Sequence, residues 1–241
     1  MSKYANLLCE NIKESIESYI IENNMKAGDL LPSERKLSEL FGANRLTVRA
    51  ALKFLRNEHI ICTEHGKGNF IAPKKIVEDT TYFLSFSKGW SADGYKPSSR
   101  LLFFQTVDAS LSVSRRLQLS LGEKVYKLVR IRYLNDMPIA HETSYIPQKY
   151  CPELEQFDFT KVSLYATLAN DYNLSLSRHD EKISITHLTK QEASYLHALE
   201  NDPAYCIKGV TYDASRSIEY CITLNPADRY MLTSKLQVNY S

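Results

Sequence analysis

The stretch from Leu31 to Pro73, LPSERKLSELFGANRLTVRAALKFLRNEHIICTEHGKGNFIAP, leaves few folds open. Pro32-Ser33 opens a helix: Ser33 can accept a bond from an early backbone N–H, and Glu34 puts an acid where the helix dipole favours one. Leu37, Leu40 and Phe41 form its expected buried side, and Gly42 stops it. Asn44 can cap a second helix whose Val48, Ala51, Leu52 and Leu55 recur at helical spacing as an inner face. A hairpin is then expected, Ile60–Glu64 and Asn69–Ala72 around the tip His65-Gly66-Lys67-Gly68. Upstream, Leu8, Ile12, Ile16, Tyr19 and Ile20 mark a helix from about Lys3 to Asn24, closed near Gly28. Three short helices and a hairpin are too small a unit for a large core, and they resolve into a winged helix-turn-helix.

The charge pattern gives that unit a partner. Arg45, Arg49, Lys53 and Arg56 fall within an arc of about 80° on the third helix, opposite its apolar face. A basic stripe alone is more often ordinary solvated surface; the helix-turn-helix proportions and the glycine-rich tip shift the reading toward double-stranded DNA. Residues 26–75 hold ten Lys/Arg against five Asp/Glu, whereas residues 76–241 hold 18 against 19, so the net charge of +2 is concentrated in one part of the chain. Arg45 and Arg49, one turn apart at the start of that helix, suit bidentate contact with guanine, and Thr47 offers a hydroxyl and a methyl beside them. Ser33 and Arg35 are placed to hold phosphate. His65, Gly66, Lys67 and Gly68 would follow the backbone or enter the minor groove.

Gly28-Asp29-Leu30-Leu31-Pro32-Ser33-Glu34-Arg35-x-Leu37, Asn44-Arg45-x-Thr47-Val48-Arg49-x-Ala51-Leu52 and Gly66-x-Gly68-x-Phe70 resemble the signature of GntR-type bacterial transcription regulators. The resemblance implies that Arg35, Arg45, Thr47, Arg49 and the tip glycines contact operator DNA. Relatives often carry a small hydroxyl residue at the position of Asn44 and a polar one at Leu46, so their operator consensus does not transfer directly.

Residues 1–73 are thus expected as the DNA-binding domain, 74–82 (KKIVEDTTY) as a linker and 83–241 as a second domain. Extended segments are expected at 101–107, 124–133, 139–146, 182–187, 204–212 and 218–224, with helices at 114–119, 163–172 and 190–199 and hairpins near 135–138 and 213–217. No internal repeat is visible. The fold class is α+β, the second domain being built on an antiparallel sheet. Lys96-Pro97-Ser98-Ser99-Arg100-Leu101-Leu102, Val129-Arg130-Ile131-Arg132-Tyr133, the run from Met137 to Pro147, Ser163-Leu164-Tyr165, Glu219-Tyr220 and Asp228-Arg229-Tyr230 resemble the effector (UTRA) domain of the HutC branch, whose fold is similar to chorismate lyase.

Arg130 and Arg132, two positions apart on an expected strand, point to one face, where two guanidiniums repel unless an anion lies between them. A phosphate or carboxylate is the implied ligand. The resemblance implies that Arg130, Arg132 and Ser163 hold a phosphate, that Glu142 contacts a sugar, and that Ser85 and Ser87 belong to a loop closing over the ligand; Glu219 is a further polar candidate. Hairpin arithmetic offers a check. A three-residue loop within Leu134–Pro138 sets Arg130 opposite Glu142 on one face, whereas a two- or four-residue loop sets them on opposite faces.

Five scattered cysteines without a C-x-x-C pair argue against a disulfide framework or zinc site and for free thiols in a reducing compartment. No membrane span or secretion signal is visible, so a cytoplasmic, nucleoid-associated bacterial protein is expected. Six dispersed histidines and the absence of a nucleophile elbow or P-loop disfavour an enzyme, so no catalytic or metal-binding residue and no cofactor is expected. The function expected is a homodimeric repressor on a palindromic operator, released by a small anionic metabolite such as a phosphorylated sugar. A carboxylate or amino-acid ligand, an activator, a ligand-free DNA-binding protein and a lyase-like enzyme stand as alternatives.

Overall fold

A computed structural model describes residues 3–64, 66–81, 85–214 and 216–235, and the chain divides into two compact units, 1–75 and 76–241. The first unit holds helices α1 (Lys3–Glu22), α2 (Glu34–Phe41) and α3 (Arg45–Asn57), then the hairpin strands β1 (Ile61–Glu64) and β2 (Gly68–Ile71). Ser33 caps α2, its hydroxyl accepting from the Lys36 N–H, and Gly42 ends it at φ 61°. Asn44 caps α3, its Oδ1 accepting from the Thr47 N–H at 2.8 Å. Val48, Ala51, Leu52 and Leu55 are buried against Ile12 and Ile16 of α1 and against Leu31, Leu37, Ile61 and Ile71. Each Val, Leu or Ile side chain among them contributes about 1.5–3 kcal/mol on leaving water, so the face of α3 opposite its arginines is a main source of this small unit's stability. Leu40, expected on the buried side, is instead 53% exposed. In an eight-residue helix the inward stripe runs from Leu37 to Phe41, one turn on, where Phe41 meets Tyr19 edge to face. The hairpin tip turns through Gly66 (φ 76°) and Gly68 (φ 128°), conformations that a side chain would strain.

The second unit is built on a six-stranded antiparallel sheet, as expected, in the order β4-β5-β6-β9-β8-β7. Its strands are β4 (Pro97–Asp108), β5 (Lys124–Leu134), β6 (Met137–Pro147), β7 (Leu176–His187), β8 (Pro203–Asp213) and β9 (Arg216–Pro226). Helices α4 (Phe86–Ala92), α5 (Leu111–Leu117), α6 (Leu164–Asn170) and α7 (Lys190–Leu196) complete it. Beside the sheet, β3 (Ile76–Asp79) pairs in parallel with β10 (Tyr230–Thr233). The stretch expected as a linker is therefore partly a strand. It lacks a period because it is too short to show one, and its partner lies about 150 residues away in sequence. Ile76 is buried with Trp90, Ile139 and Tyr230.

An internal repeat that the sequence hides is plain in the fold. β4, α5, β5 and β6 recur as β7, α7, β8 and β9, every boundary displaced by 79 positions. The left-handed residues repeat with them: Gln118 with His197, Gly122 with Asn201, Asn135 with Ala214. Six of the 51 equivalent positions are identical, among them Tyr126 and Tyr205, Tyr133 and Tyr212, Ile139 and Ile218. Antiparallel strands require only alternating polarity and left-handed turns, which many residues satisfy, so the architecture persists where identity does not.

The repeat carries a device that corrects the hairpin arithmetic. The β5–β6 turn has two residues, Asn135 and Asp136 at φ 48° and 66°, between the paired Leu134 and Met137. By loop length alone Arg130 and Glu142 would face opposite sides. The register shifts by one after Tyr133–Pro138, leaving Ile139 as the extra residue of a β-bulge, and Arg130 pairs with Glu142. In β8–β9, Ile218 is the extra residue and Glu219 pairs with Thr211.

Candidate functional site

Two regions carry the expected chemistry, one in each unit. In the first, Arg45 and Arg49 are exposed on α3, one turn apart. Arg49 is already engaged: its Nε and Nη2 donate to both carboxylate oxygens of Glu34 on α2, at 2.8–3.2 Å. The Arg49 hydrogen bonds hold the Glu34 carboxyl below its ordinary pKa despite partial burial. Glu34 thus occupies the guanidinium fork that a guanine edge or phosphate would otherwise fill. Arg35 is exposed and lies 3.7 Å from Glu39. Arg56 donates to the Thr63 hydroxyl on β1, near the hairpin tip, and Lys53 is exposed. Thr47 departs from the expectation of a free contact group. It is 9% exposed and its hydroxyl bonds to Asn44 Oδ1, because the N-cap geometry turns it toward the helix start. Ser33 likewise spends its hydroxyl on the cap of α2. Gly66 and Lys67 are exposed, Gly68 is half-buried, and His65 lies outside the described residues. Leu46, between the two arginines, is 76% exposed, an apolar group on a polar face.

In the second unit a cavity of about 470 Å³ opens over one face of the sheet. Its lining brings together all seven side chains expected to meet an effector: Ser85, Ser87, Arg130, Arg132, Glu142, Ser163 and Glu219. Ser85 and Ser163 occupy the N-cap positions of α4 and α6. At the floor, Arg130 Nε donates to Glu142 Oε1 at 3.1 Å and its Nη2 reaches the same oxygen; Arg132 Nε donates to Oε2 at 3.0 Å. Arg132 Nη1 donates to the Ser99 hydroxyl at 2.7 Å, and its guanidinium lies over the Phe86 ring. Burial alone would raise the Glu142 carboxyl, but the two guanidiniums outweigh it and hold the group at about 2. Burial lowers Arg132, against the pull of Glu142.

Two guanidiniums and one carboxylate leave one unit of positive charge at the floor. Arg130 Nη1 is buried and has no hydrogen-bond partner among the described residues. An unsatisfied buried donor of this kind costs about 1–3 kcal/mol, more when it is charged, and an anion in the cavity would recover that cost.

The remaining lining was not singled out in the sequence. Tyr165 donates to Glu219, Glu219 also accepts from Thr211, and Thr211 meets His179 Nδ1 at 2.9 Å. His179 lies across Gly209, where a Cβ would approach its ring to 2.4 Å. Gly209 and Thr211 are the repeat equivalents of Arg130 and Arg132, so the second repeat sets a histidine ring and a hydroxyl where the first sets two cations. Glu78 on β3 accepts from Tyr230, and burial raises its carboxyl above the ordinary range. Tyr165 sat within the quoted Ser163-Leu164-Tyr165 segment and could have been found there. Glu78, His179 and Glu181 could not, since no spacing links them to the arginines.

Residues 92–231 match the family pattern described as the UTRA domain, and residues 8–71 that described as bacterial regulatory proteins, gntR family. The chain is 30% identical over 220 residues to the HTH-type transcriptional repressor NagR of Bacillus subtilis, an alignment covering 91% of this chain and 90% of that protein. It is 25% identical over 217 residues to the mannosyl-D-glycerate transport/metabolism system repressor MngR of Escherichia coli K12, covering 87% and 90%. The crystal structure of PhnF from Mycobacterium smegmatis superposes with a TM-score of 0.67 at 24% identity, over 95% of this chain and 100% of that one, a likeness of fold. Among the described residues no helix is long and apolar enough to cross a membrane.

Proposed function

The chain belongs to the GntR family of bacterial regulatory proteins, in the branch that carries a UTRA domain, and from that membership we propose a repressor that leaves its operator when a small anion binds over Arg130 and Arg132. The observation that carries the anion is the floor of the cavity: a net positive, buried cluster with one guanidinium nitrogen unpaired. A phosphorylated sugar is the favoured ligand class. The cavity is larger than a bare phosphate needs, and hydroxyl-compatible groups (Glu219, His179, Thr223) line the wall beyond the arginines. Two relatives are repressors, one of them of a mannosyl-D-glycerate transport/metabolism system, which supports repression and a carbohydrate-like ligand.

On DNA, Arg45 and Arg49 read base edges from α3, Arg35 and the start of α2 hold phosphate, and Gly66, Lys67 and Gly68 follow the backbone beside them. Arg49 exchanges Glu34 for DNA, so Glu34 acts as a stand-in anion when no operator is present. Leu46 is placed to meet a thymine methyl. Two copies on a two-fold operator match protein symmetry to DNA symmetry, with the second unit supplying the dimer contact. The ligand acts on DNA affinity only by favouring one arrangement of the two copies over another.

The test is a double dissociation. Arg49→Ala abolishes retention of operator DNA in a fluorescence-anisotropy titration and leaves ligand-induced thermal stabilisation intact, while Arg130→Ala does the reverse. Loss of both activities in both well-folded variants refutes the two-site reading.

A further inference from the structure

We infer that the strap joining β3 to β10 is a pH-sensitive anchor: it holds while Glu78 is neutral and His179 is charged against Glu181, and it loosens when both carboxylates stand ionised beside a neutral histidine. The inference uses neither ligand nor DNA, so it stands or falls apart from the function proposed above. β3 is the first element after the DNA-binding unit, and its ladder with β10 pairs Ile76–Asp79 with Tyr230–Thr233. A two-stranded ladder of that length is marginal by itself, so its side-chain anchors decide whether it holds. The apolar anchor is Ile76 against Trp90, Ile139 and Tyr230. The polar anchor is the bond from the Tyr230 phenol to the Glu78 carboxyl. Tyr230 is 3% exposed, and burial pushes its phenol well above its ordinary pKa, so it remains a donor. Glu78 is the partner that can change.

Tyr230 meets Glu78 from β10, and Glu181 and His179 face it from β7. α4 brings an indole, Trp90, into a T-shaped contact with the Tyr230 ring, and Asp79, next along β3, pairs with Lys235 at 3.7 Å. The state of His179 follows from its hydrogen bonds. Tyr165 and Thr211 have one hydroxyl proton each, and both donate to Glu219. The 2.9 Å bond between His179 Nδ1 and Thr211 therefore takes its proton from the imidazole. A neutral His179 then presents an unprotonated Nε2 toward Glu181 at 3.7 Å, and protonation there sets a cation against that carboxylate. Glu78 moves in the same sense. Burial first, and then the Glu181 charge, raise its carboxyl above the ordinary 4.5, against the Tyr230 bond. A raised value means that the stability it lends is full below 4.5 and is lost as pH rises through the folded value. Loss of the imidazole proton, as pH rises, removes the cation that faces the two acids. Low pH thus leaves the cluster at zero net charge. High pH leaves two negative charges that push β3 from β7, against the Tyr230 bond.

The test is hydrogen–deuterium exchange on the full chain, following peptides over 74–81 and 228–235 from about pH 5 to about pH 8 and correcting for the intrinsic exchange rate. Exchange from β3 and β10 is expected to speed up relative to β5 as pH rises, by at most about tenfold per pH unit for each proton lost. In Glu78→Gln, which keeps an acceptor for Tyr230 and cannot ionise, most of that loss of protection disappears. Glu181→Gln removes the like charge at a side chain that is 31% exposed, so folding is not at issue, and it too keeps β3 protected at the upper end of the range. Protection that stays level across the range in the native protein overturns the inference. So does a native slope that survives in Glu181→Gln, whether or not Glu78→Gln folds, or one that survives in a folded Glu78→Gln. A loss of protection that is equal in β5 and β3 marks opening of the whole unit and overturns the local anchor.

Discussion

Replacing Glu142 by Gln should be among the most informative single changes in the second unit, because it removes the one carboxylate between two buried guanidiniums. The side chains of Arg130 and Arg132 are 2% and 9% exposed and that of Glu142 is 12% exposed, so water screens little of the loss. A buried ion pair broken on one side costs about 3–5 kcal/mol. The titration of Glu142 gives a second route to the same figure. Its carboxyl is held at about 2 against an ordinary value of 4.5, and such a difference is worth about 3 kcal/mol at 1.36 kcal/mol per unit. A pKa depressed in the folded state means stability that is present in full above pH 4.5 and drains away as pH falls toward 2. For a chain of this length a loss of about 3 kcal/mol lowers the melting temperature by about 6–12 °C. Calorimetric melts at neutral pH should therefore show Glu142→Gln well below the native protein. Between pH 5 and 3 the native protein should lose stability faster than the variant, which has no group there to titrate. Sulfate or phosphate should stabilise the variant more than the native protein, since an anion can take the place of the missing carboxylate. A variant that melts within about 2 °C of the native protein at neutral pH, with an identical acid profile, would show that Glu142 does not hold the two arginines as described.

Further expectations concern single side chains. Gly209→Ala places a Cβ against the His179 ring, so His179 must leave Thr211; a loss of about 1–3 kcal/mol is expected from strain and a broken network, read from urea denaturation, together with weaker anion binding. An unchanged denaturation midpoint would refute that packing. Leu46→Glu should weaken operator binding at least tenfold by setting a carboxylate against DNA, whereas Leu46→Ala should relax preference at one A·T position by about 1 kcal/mol or slightly more, in a binding-site selection assay. Uniform effects across all operator positions would remove Leu46 from base contact.

Much of the first unit was legible in the sequence because its signals are local. Ser33, Gly42 and Asn44 act within four residues of themselves, and the inner face of α3 is a matter of period. The pairing of Arg49 with Glu34 was not legible, since the two stand 15 residues apart and meet only when α2 crosses α3. The seven effector candidates came from alternation on a strand together with a resemblance, and they converge on one cavity. The loop-length check left the facing of Arg130 and Glu142 open and could not have settled it, because a bulge is a choice of the pleated ladder and leaves no letter in the chain. Asn135-Asp136 announces a tight turn; nothing announces that Ile139 will be skipped.

By itself, then, the sequence determined where the helices of the first unit start and stop, which of its faces are apolar, where basic charge is concentrated, and that two arginines share a strand face; in the second unit α5 starts three residues earlier than expected and α4 was not expected. The features so determined follow from interactions spanning a few residues, whose free energies do not depend on the rest of the chain. The tertiary structure alone decided that Ile76–Asp79 pairs with Tyr230–Thr233, that two halves of the sheet repeat each other, and that Glu142 lies between Arg130 and Arg132. Those outcomes depend on contacts between residues distant in the chain, chosen by the register that buries the most apolar surface and leaves the fewest polar atoms unpaired. Among the described residues, the buried side-chain atoms Arg130 Nη1 and Asn225 Oδ1 remain without a hydrogen-bond partner.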